Sequence, residues 1–114
     1  MAFIKSKVGN GGSSGVTVKT GTLSKSSANQ TVSNLGFKPK KLYIYASDTG
    51  AHCVYDESVS TTKFIRCVPS SSNPVVSWTN IGVTSAYSIV SIDSNGFTFK
   101  GSTSYAFTYF ALDG

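Results

Sequence analysis

Few side chains in this sequence can do chemistry. It has one histidine, His52, five acidic residues and 20 serines among 114 residues. A Ser–His–Asp hydrolase could be assembled on paper, but no Gly-x-Ser-x-Gly nucleophile motif or phosphate-binding Gly-x-x-x-x-Gly-Lys-Ser loop is present. A glycosidase needs two placed carboxylates, whereas Asp56 and Glu57 are adjacent and would point to opposite faces of a strand. We therefore expect no catalytic residue, no cofactor and no enzymatic activity.

Metal binding and disulfide formation both depend on residues near His52. Asp48, His52 and Asp56 could form a metal cluster, but loop residues of this kind are more often simply solvated, and we expect no metal site. Cys53 and Cys67 match no zinc-ligand spacing. If their hairpin is symmetric about Ser60, the two cysteines lie opposite each other and a disulfide is one interpretation. The favoured alternative is two half-buried free thiols in a protein made in a reducing cytoplasm.

Carbohydrate binding is the remaining chemistry that single residues suggest. Trp78 lies among serine, threonine and asparagine, and its ring could stack on a sugar whose hydroxyls those neighbours would bind. The favoured alternative is that Trp78 fills the end of the core. Tyr55, next to Asp56 and Glu57, is a second candidate sugar contact.

The composition indicates what kind of fold must hold these residues. Serine and threonine number 32, glycine 11, and helix-favouring residues are scarce, which excludes a helical bundle. The hydrophobic fraction of 39% is enough for a small core. No apolar run approaches the roughly 20 residues of a membrane span, and the first residues lack a secretory signal. We expect an all-β domain, synthesised in the cytoplasm, with no membrane partner.

Charge is distributed unevenly along the chain. Residues 1–47 carry seven lysines and no acid, whereas the rest carries three basic and five acidic residues. The N-terminal part is therefore predicted to meet an acidic surface. Nucleic acid is not favoured, because a single arginine supplies little bidentate base readout. Four glycines within 9–15 predict that residues 1–15 are a flexible basic arm. The candidate docking residues in this arm are Phe3, Ile4, Lys5 and Lys7.

Alternating hydrophobicity predicts the strands of the domain at 16–114. The segment 41–46 is apolar on both faces and predicts a central strand covered on both sides. The aromatic segment 105–112 should lie in the middle of a sheet. The segment 93–96 predicts a hairpin turn, because Asn95-Gly96 tolerates positive φ. Residues 69–85 are expected to be irregular. We predict a single antiparallel β-sandwich with a flexible N-terminal arm. The other strands are predicted at 16–23, 30–35, 52–55, 63–68, 86–92 and 97–100.

Three stretches resemble small β-sandwich modules of tailed-bacteriophage tail, baseplate and fibre proteins. Residues 31–44 contain Leu35-Gly36-Phe37-Lys38-Pro39 before an apolar strand, which is similar to the start of such modules. Residues 92–99 resemble their acidic turn followed by glycine, phenylalanine and threonine. Residues 104–111 look like their closing aromatic strand. The order and spacing agree over about residues 20–114.

The resemblance implies a role in the virion and no catalysis. Such modules usually end a longer chain, whereas this one appears alone, so residues 1–15 would be its tether to other virion proteins. We expect a structural or accessory protein of the tail, baseplate or fibre, located in the virion and forming a homo-oligomer. The alternatives are a capsid decoration protein and a host-recognition module that binds a cell-surface glycan.

Overall fold

Nine strands make up the fold in the residues that the structure describes. The structure is a computed structural model, and it describes residues 16–46, 50–69, 75–83 and 85–114. The predicted arm at 1–15 lies outside these residues and stays a prediction. No helix in the described part of the chain is long and apolar enough to cross a membrane. The strands are β1 (Val18–Leu23), β2 (Asn29–Val32), β3 (Lys41–Tyr45), β4 (His52–Asp56), β5 (Lys63–Val68), β6 (Val75–Asn80), β7 (Ser88–Asp93), β8 (Gly96–Lys100) and β9 (Phe107–Leu112).

The strands form two antiparallel sheets that pack together as a sandwich. The large sheet has six strands in the order β1-β9-β3-β4-β5-β6, and the small sheet has three in the order β2-β8-β7. The predicted all-β sandwich is therefore confirmed. The aromatic strand β9 lies between β1 and β3, as its sequence predicts.

The core lies between the two sheets and is rich in aromatic rings. Phe97 packs edge-on against Tyr109 with ring centroids 5.1 Å apart, and Phe99 packs likewise against Phe107 at 5.0 Å. Burying one such side chain stabilises the fold by about 1.5–3 kcal/mol, and edge-to-face geometry adds to this. The other large side chains that are fully buried include Leu42, Ile44, Phe64 and Ile89.

Two predictions about strands are wrong. Residues 75–80, expected to be irregular, form the edge strand β6. Their burial alternates weakly, since an edge strand that presents Ser77 and Thr79 on one side has little apolar contrast to show. Strand β3 is central in its sheet but is covered on one face only. Leu42 and Ile44 are buried, whereas Tyr43 and Tyr45 keep 39% and 37% of their surface exposed.

The β7–β8 hairpin turns at residues 93–96, as predicted, but without the positive φ that its Asn-Gly sequence suggests. Asp93 pairs with Gly96, so the turn residues are Ser94 and Asn95, and neither Asn95 nor Gly96 has a positive φ. Gly96 is needed for another reason. A Cβ at this position would overlap the carbonyl oxygen of Val32 on the neighbouring strand β2.

Asn95 links this hairpin to the connection between β2 and β3. The Leu35 amide donates to the Asn95 carbonyl at 3.0 Å, and the Gly36 amide donates to Asn95 Oδ1 at 2.6 Å. Asn95 Nδ2 donates in turn to the carbonyl oxygen of Ser33. Gly36 has a φ of 86°, which a residue with a side chain rarely adopts. The first two stretches of the resemblance are thus in direct contact, although about 60 residues separate them in sequence.

Candidate functional site

The side of the large sheet that faces away from the small sheet carries an uncovered apolar surface. Partners across antiparallel strands share a face, so the register defines this outer face residue by residue. We call two adjacent lines of outer-face side chains the apolar row and the second row. The apolar row consists of Thr20, Phe110, Tyr43, Val54, Ile65 and Trp78. The second row consists of Thr22, Thr108, Tyr45, His52, Cys67 and Val76.

Several large side chains of the outer face remain open to solvent. Trp78 is 49% exposed, Val76 64% and Ile65 39%, in addition to the two tyrosines of β3. The Tyr45 and Phe110 rings lie nearly parallel, with an interplanar angle of 12° and centroids 6.0 Å apart. Single exposed apolar residues are ordinary, but the apolar row continues from Phe110 on β9 to Trp78 on β6, across five of the six strands. A contiguous apolar patch of this kind is typical of a binding surface.

The two rows contain no lysine, arginine, aspartate or glutamate. Charge lies in the adjoining row of the same face, where Lys41 pairs with Asp56 across β3 and β4 and Lys63 pairs with Asn80 across β5 and β6. Hydrogen bonds from the Ser58 side chain at 2.7 Å and the Ser58 amide at 3.0 Å lower the pKa of Asp56, and Lys41 lowers it further. The Asp56 carboxylate therefore already accepts hydrogen bonds within the turn that follows β4.

The predicted sugar contacts do not form one site. Trp78 lies on the outer face of β6, so the prediction that it fills the core is wrong. Tyr55 is only 2% exposed and faces the core, on the opposite side of the sheet. Burial raises the pKa of Tyr55, with smaller contributions from Glu57 and Asp56. The aromatic rings that share the outer face with Trp78 are those of Tyr43, Tyr45 and Phe110, whereas Tyr55 lies on the opposite face.

The two cysteines lie on opposite faces of the large sheet. Cys67 pairs with His52 and Cys53 pairs with Arg66, so the register is one residue away from the expected symmetry. Both thiols are free and buried, and the disulfide interpretation is wrong for this structure. Burial raises the pKa of Cys53 to about 12, although the nearby Arg66 guanidinium opposes the shift. A thiol with this pKa is protonated at neutral pH and unreactive.

Arg66 contacts the segment before β7, and no pattern in the sequence predicts this contact. Arg66 Nε donates to the carbonyl oxygens of Ala86 and Tyr87 at 3.1 and 3.2 Å, and its Nη2 donates to Ala86 at 2.6 Å. Cys53 Sγ donates to the same Tyr87 carbonyl at 3.1 Å. Tyr87 has a φ of 62°, an unusual value for an aromatic residue. The only signal was a lone arginine in an apolar strand, and its role here is to hold the backbone of residues 86–87.

The structure describes two of the three residues of the metal cluster considered from the sequence, His52 and Asp56. Within the described residues, no group of three or more His, Cys, Asp or Glu side chains could hold a metal ion. Asp48 lies outside those residues. His52 and Asp56 are four positions apart on β4, about 13 Å along an extended strand. The His52 Nδ1 atom lies 2.7 Å from the Gly50 carbonyl, so this nitrogen carries the proton and donates it.

Comparison of the chain with protein-family models, with curated proteins and with solved structures found no match. The candidate docking residues Phe3, Ile4, Lys5 and Lys7 lie outside the described residues. We therefore base the proposed function on the outer face of the large sheet.

Proposed function

We propose that this chain is a non-enzymatic structural or accessory protein of a tailed-bacteriophage particle, located in the tail, baseplate or fibre. It binds other virion proteins and is tethered through its N-terminal segment. The observation that carries the binding role is the outer face, whose exposed apolar side chains are covered by no other strand of the described residues. The phage assignment depends on the resemblance of the three stretches.

The roles of the motif residues support the proposal. Gly36 occupies a positive-φ position, Asn95 holds the β2–β3 connection, and Gly96 allows β2 to approach β8. These are requirements of folding and not of catalysis, so the residues behind the resemblance specify a scaffold. The described chain enters the large sheet at edge strand β1, where Val16 and Val18 are exposed.

The proposal is tested by quantitative mass spectrometry of gradient-purified particles that were produced with the tagged chain. We expect its peptides at a constant ratio to the major virion proteins through successive gradients. A chain that stays in the lysate would refute the virion role. Deleting residues 2–12 should abolish incorporation, whereas Val59→Lys, a change in the exposed β4–β5 loop, should not. Unchanged incorporation of the deletion variant would refute the tether and leave the virion role intact.

The location within the particle has two alternatives, and the same preparation separates them. Tail-less capsids that retain the chain would indicate a capsid decoration protein. Isolated tails that retain it would support the tail, baseplate or fibre assignment.

A glycan-binding role is the second candidate, because Trp78 is exposed and two tyrosines share its face. Exposed aromatic rings stack on the apolar faces of sugar rings. If the outer face binds a host glycan, binding on a glycan array should fall at least about tenfold in Trp78→Ala and remain unchanged in Val59→Ala. The absence of binding by the wild-type protein would exclude this role.

A further inference from the structure

We infer that the free edge of β6 binds an extended, acidic segment of another protein, which pairs with β6 as an additional antiparallel strand. This inference goes beyond the proposed function, because it concerns the edge of the large sheet and not its outer face, and because it holds for a partner of any origin. Three properties of the edge favour it: its unpaired backbone groups, its lack of protection and the charge beside it.

The hydrogen-bond pattern between β5 and β6 determines which backbone groups face the free edge. The Ile81 amide donates to the Thr62 carbonyl at 2.8 Å, and these two residues continue the register of the β5–β6 pair. Bonded and non-bonded pairs alternate along an antiparallel ladder, so every second residue of β6 directs its N–H and C=O away from β5. No strand pairs with this side of β6 in the part of the chain that the structure describes. The outward-directed residues are Val76, Trp78 and Asn80.

The edge at β6 lacks the features by which the other three edge strands are protected. A charged side chain, a short length and a bulge each hinder the addition of another strand. Strand β1 contains Lys19, β2 has four residues, and β7 has a bulge between Ile89 and Ser91. Strand β6 has six residues in unbroken register with β5 and contains no charged residue and no proline. A long apolar edge of this kind is a site for strand addition.

The side chains of β6 indicate what the added segment contains. On the outer face, Val76 and Trp78 are 64% and 49% exposed and would lie beside apolar side chains of the added strand. On the inner face, the hydroxyls of Ser77 and Thr79 are hydrogen-bonded to each other at 2.8 Å, which suits small hydroxyl side chains beside them. The added segment therefore alternates apolar residues with serine or threonine.

The charge beside the edge favours acidic residues in the partner. Strands β5 and β6 together contain Lys63 and Arg66 and no acidic residue. Lys63 pairs with Asn80 at one end of β6, so its charge lies close to the edge. The whole chain has a net charge of +5. An acidic segment is therefore attracted to this edge, whereas a second copy of the chain is repelled.

Fluorescence of Trp78 measures strand addition, because it is the single tryptophan of the chain and lies on β6. The probe is an acetylated and amidated peptide, Glu-Val-Thr-Val-Thr-Val-Thr-Glu, titrated into the full-length protein. We expect a saturable shift of the emission to shorter wavelength, with a dissociation constant on the order of 100 µM for one short strand. No saturable change at millimolar peptide would overturn the inference.

Two N-methylated peptides separate backbone pairing from apolar contact. Antiparallel pairing with the outward-directed groups of β6 uses the valine amides of the peptide, since paired residues share a face. N-methylation of the valines should therefore weaken binding at least about tenfold. N-methylation of the threonines, whose amides would face solvent, should leave binding unchanged. Equal effects of the two modifications, or a loss confined to the threonine-methylated peptide, would overturn the inference.

Val76→Pro tests the same pairing from the protein side. It removes one outward N–H and no hydrogen bond to β5, so it should weaken binding about tenfold. Val76→Ala is the matched control, because it keeps the amide and should change the dissociation constant less than about threefold. Equal binding by the two folded variants would overturn the inference. Circular dichroism melting shows whether each variant is folded, and the methylated peptides decide the result if Val76→Pro is not.

The N-terminal segment of the chain is the competing occupant of the edge. Deleting residues 2–12 should leave peptide binding unchanged. Binding that appears only in the deletion variant would assign the edge to that segment and overturn the inference of a separate partner. None of these outcomes affects the virion role, because incorporation into particles is measured separately.

Discussion

Replacing Asn95 by alanine removes the side chain that joins the β7–β8 hairpin to the β2–β3 connection. The substitution eliminates the bond from the Gly36 amide to Oδ1 and the bond from Nδ2 to the Ser33 carbonyl. It retains the bond from the Leu35 amide, since the acceptor there is the Asn95 backbone carbonyl. The perturbation therefore separates the side-chain link from the turn itself.

The expected loss of stability follows from these two bonds. Each intramolecular hydrogen bond contributes about 0.5–1.5 kcal/mol net, and both bonds are near the surface, where water can replace part of each. We expect the free energy of unfolding to fall by about 1–2 kcal/mol, which for a domain of this size lowers the Tm by about 5–10 °C. Urea denaturation with an unchanged m-value would show that the change lies in stability.

Asn34→Ala is the matched control, because Asn34 is exposed on the same connection and has no hydrogen bond in the structure. This variant should unfold within about 0.5 kcal/mol of the wild type. Asn95→Asp keeps the Oδ1 acceptor but loses the donor to Ser33, so it should lie between the wild type and Asn95→Ala. Equal stability of Asn95→Ala and Asn34→Ala would refute the proposed link between the two motifs.

Three further predictions concern stability. Gly96→Ala should lower the free energy of unfolding, measured by urea denaturation, by at least about 3 kcal/mol, because its Cβ would overlap backbone atoms of β2. Gly36→Ala meets no atom and should lower it only by the positive-φ penalty of about 1–2 kcal/mol. Similar losses in the two variants would contradict the close approach of β2 to Gly96. The Cys53 thiol keeps its proton to about pH 12 when folded but releases it near 9.0 when unfolded, so stability should fall as pH rises from 9, by up to about 1.4 kcal/mol per pH unit. Cys53→Ala should flatten this dependence, and a slope that stays the same in this variant would contradict it. Arg66→Ala should lower the free energy of unfolding by about 2–3 kcal/mol, because it removes hydrogen bonds from a charged donor. Wild-type stability in Arg66→Lys would contradict a contact that depends on two guanidinium nitrogens.

The sequence was sufficient for those strands whose inner side chains are strongly apolar. Leu42 and Ile44 on β3, and Phe107 and Tyr109 on β9, alternate with residues on the other face, and this period predicts both strands. It does not say whether the other face is covered. An exposed tyrosine at position 43 and a buried one give the same alternation in the sequence, so the prediction that both faces of β3 are covered is wrong.

Register was harder to predict because it depends on the geometry of turns. The β4–β5 loop bonds asymmetrically, with the Val59 and Ser60 amides both donating to the Asp56 carbonyl. This arrangement centres the pairing between Val59 and Ser60, and the shift moves Cys67 from Cys53 to His52. The Asn95 contacts and the Arg66 contact join segments far apart in sequence, which no local pattern reveals.

We propose that the chain acts through the outer face of its large sheet and not through a catalytic site. Hydroxyl-radical footprinting of the chain, free and as incorporated in purified particles, measures this directly. The account predicts a several-fold lower oxidation rate at Tyr43, Tyr45 and Trp78 in the assembled state, with no change at Val59. Equal oxidation of the outer-face rings in the two states would contradict it.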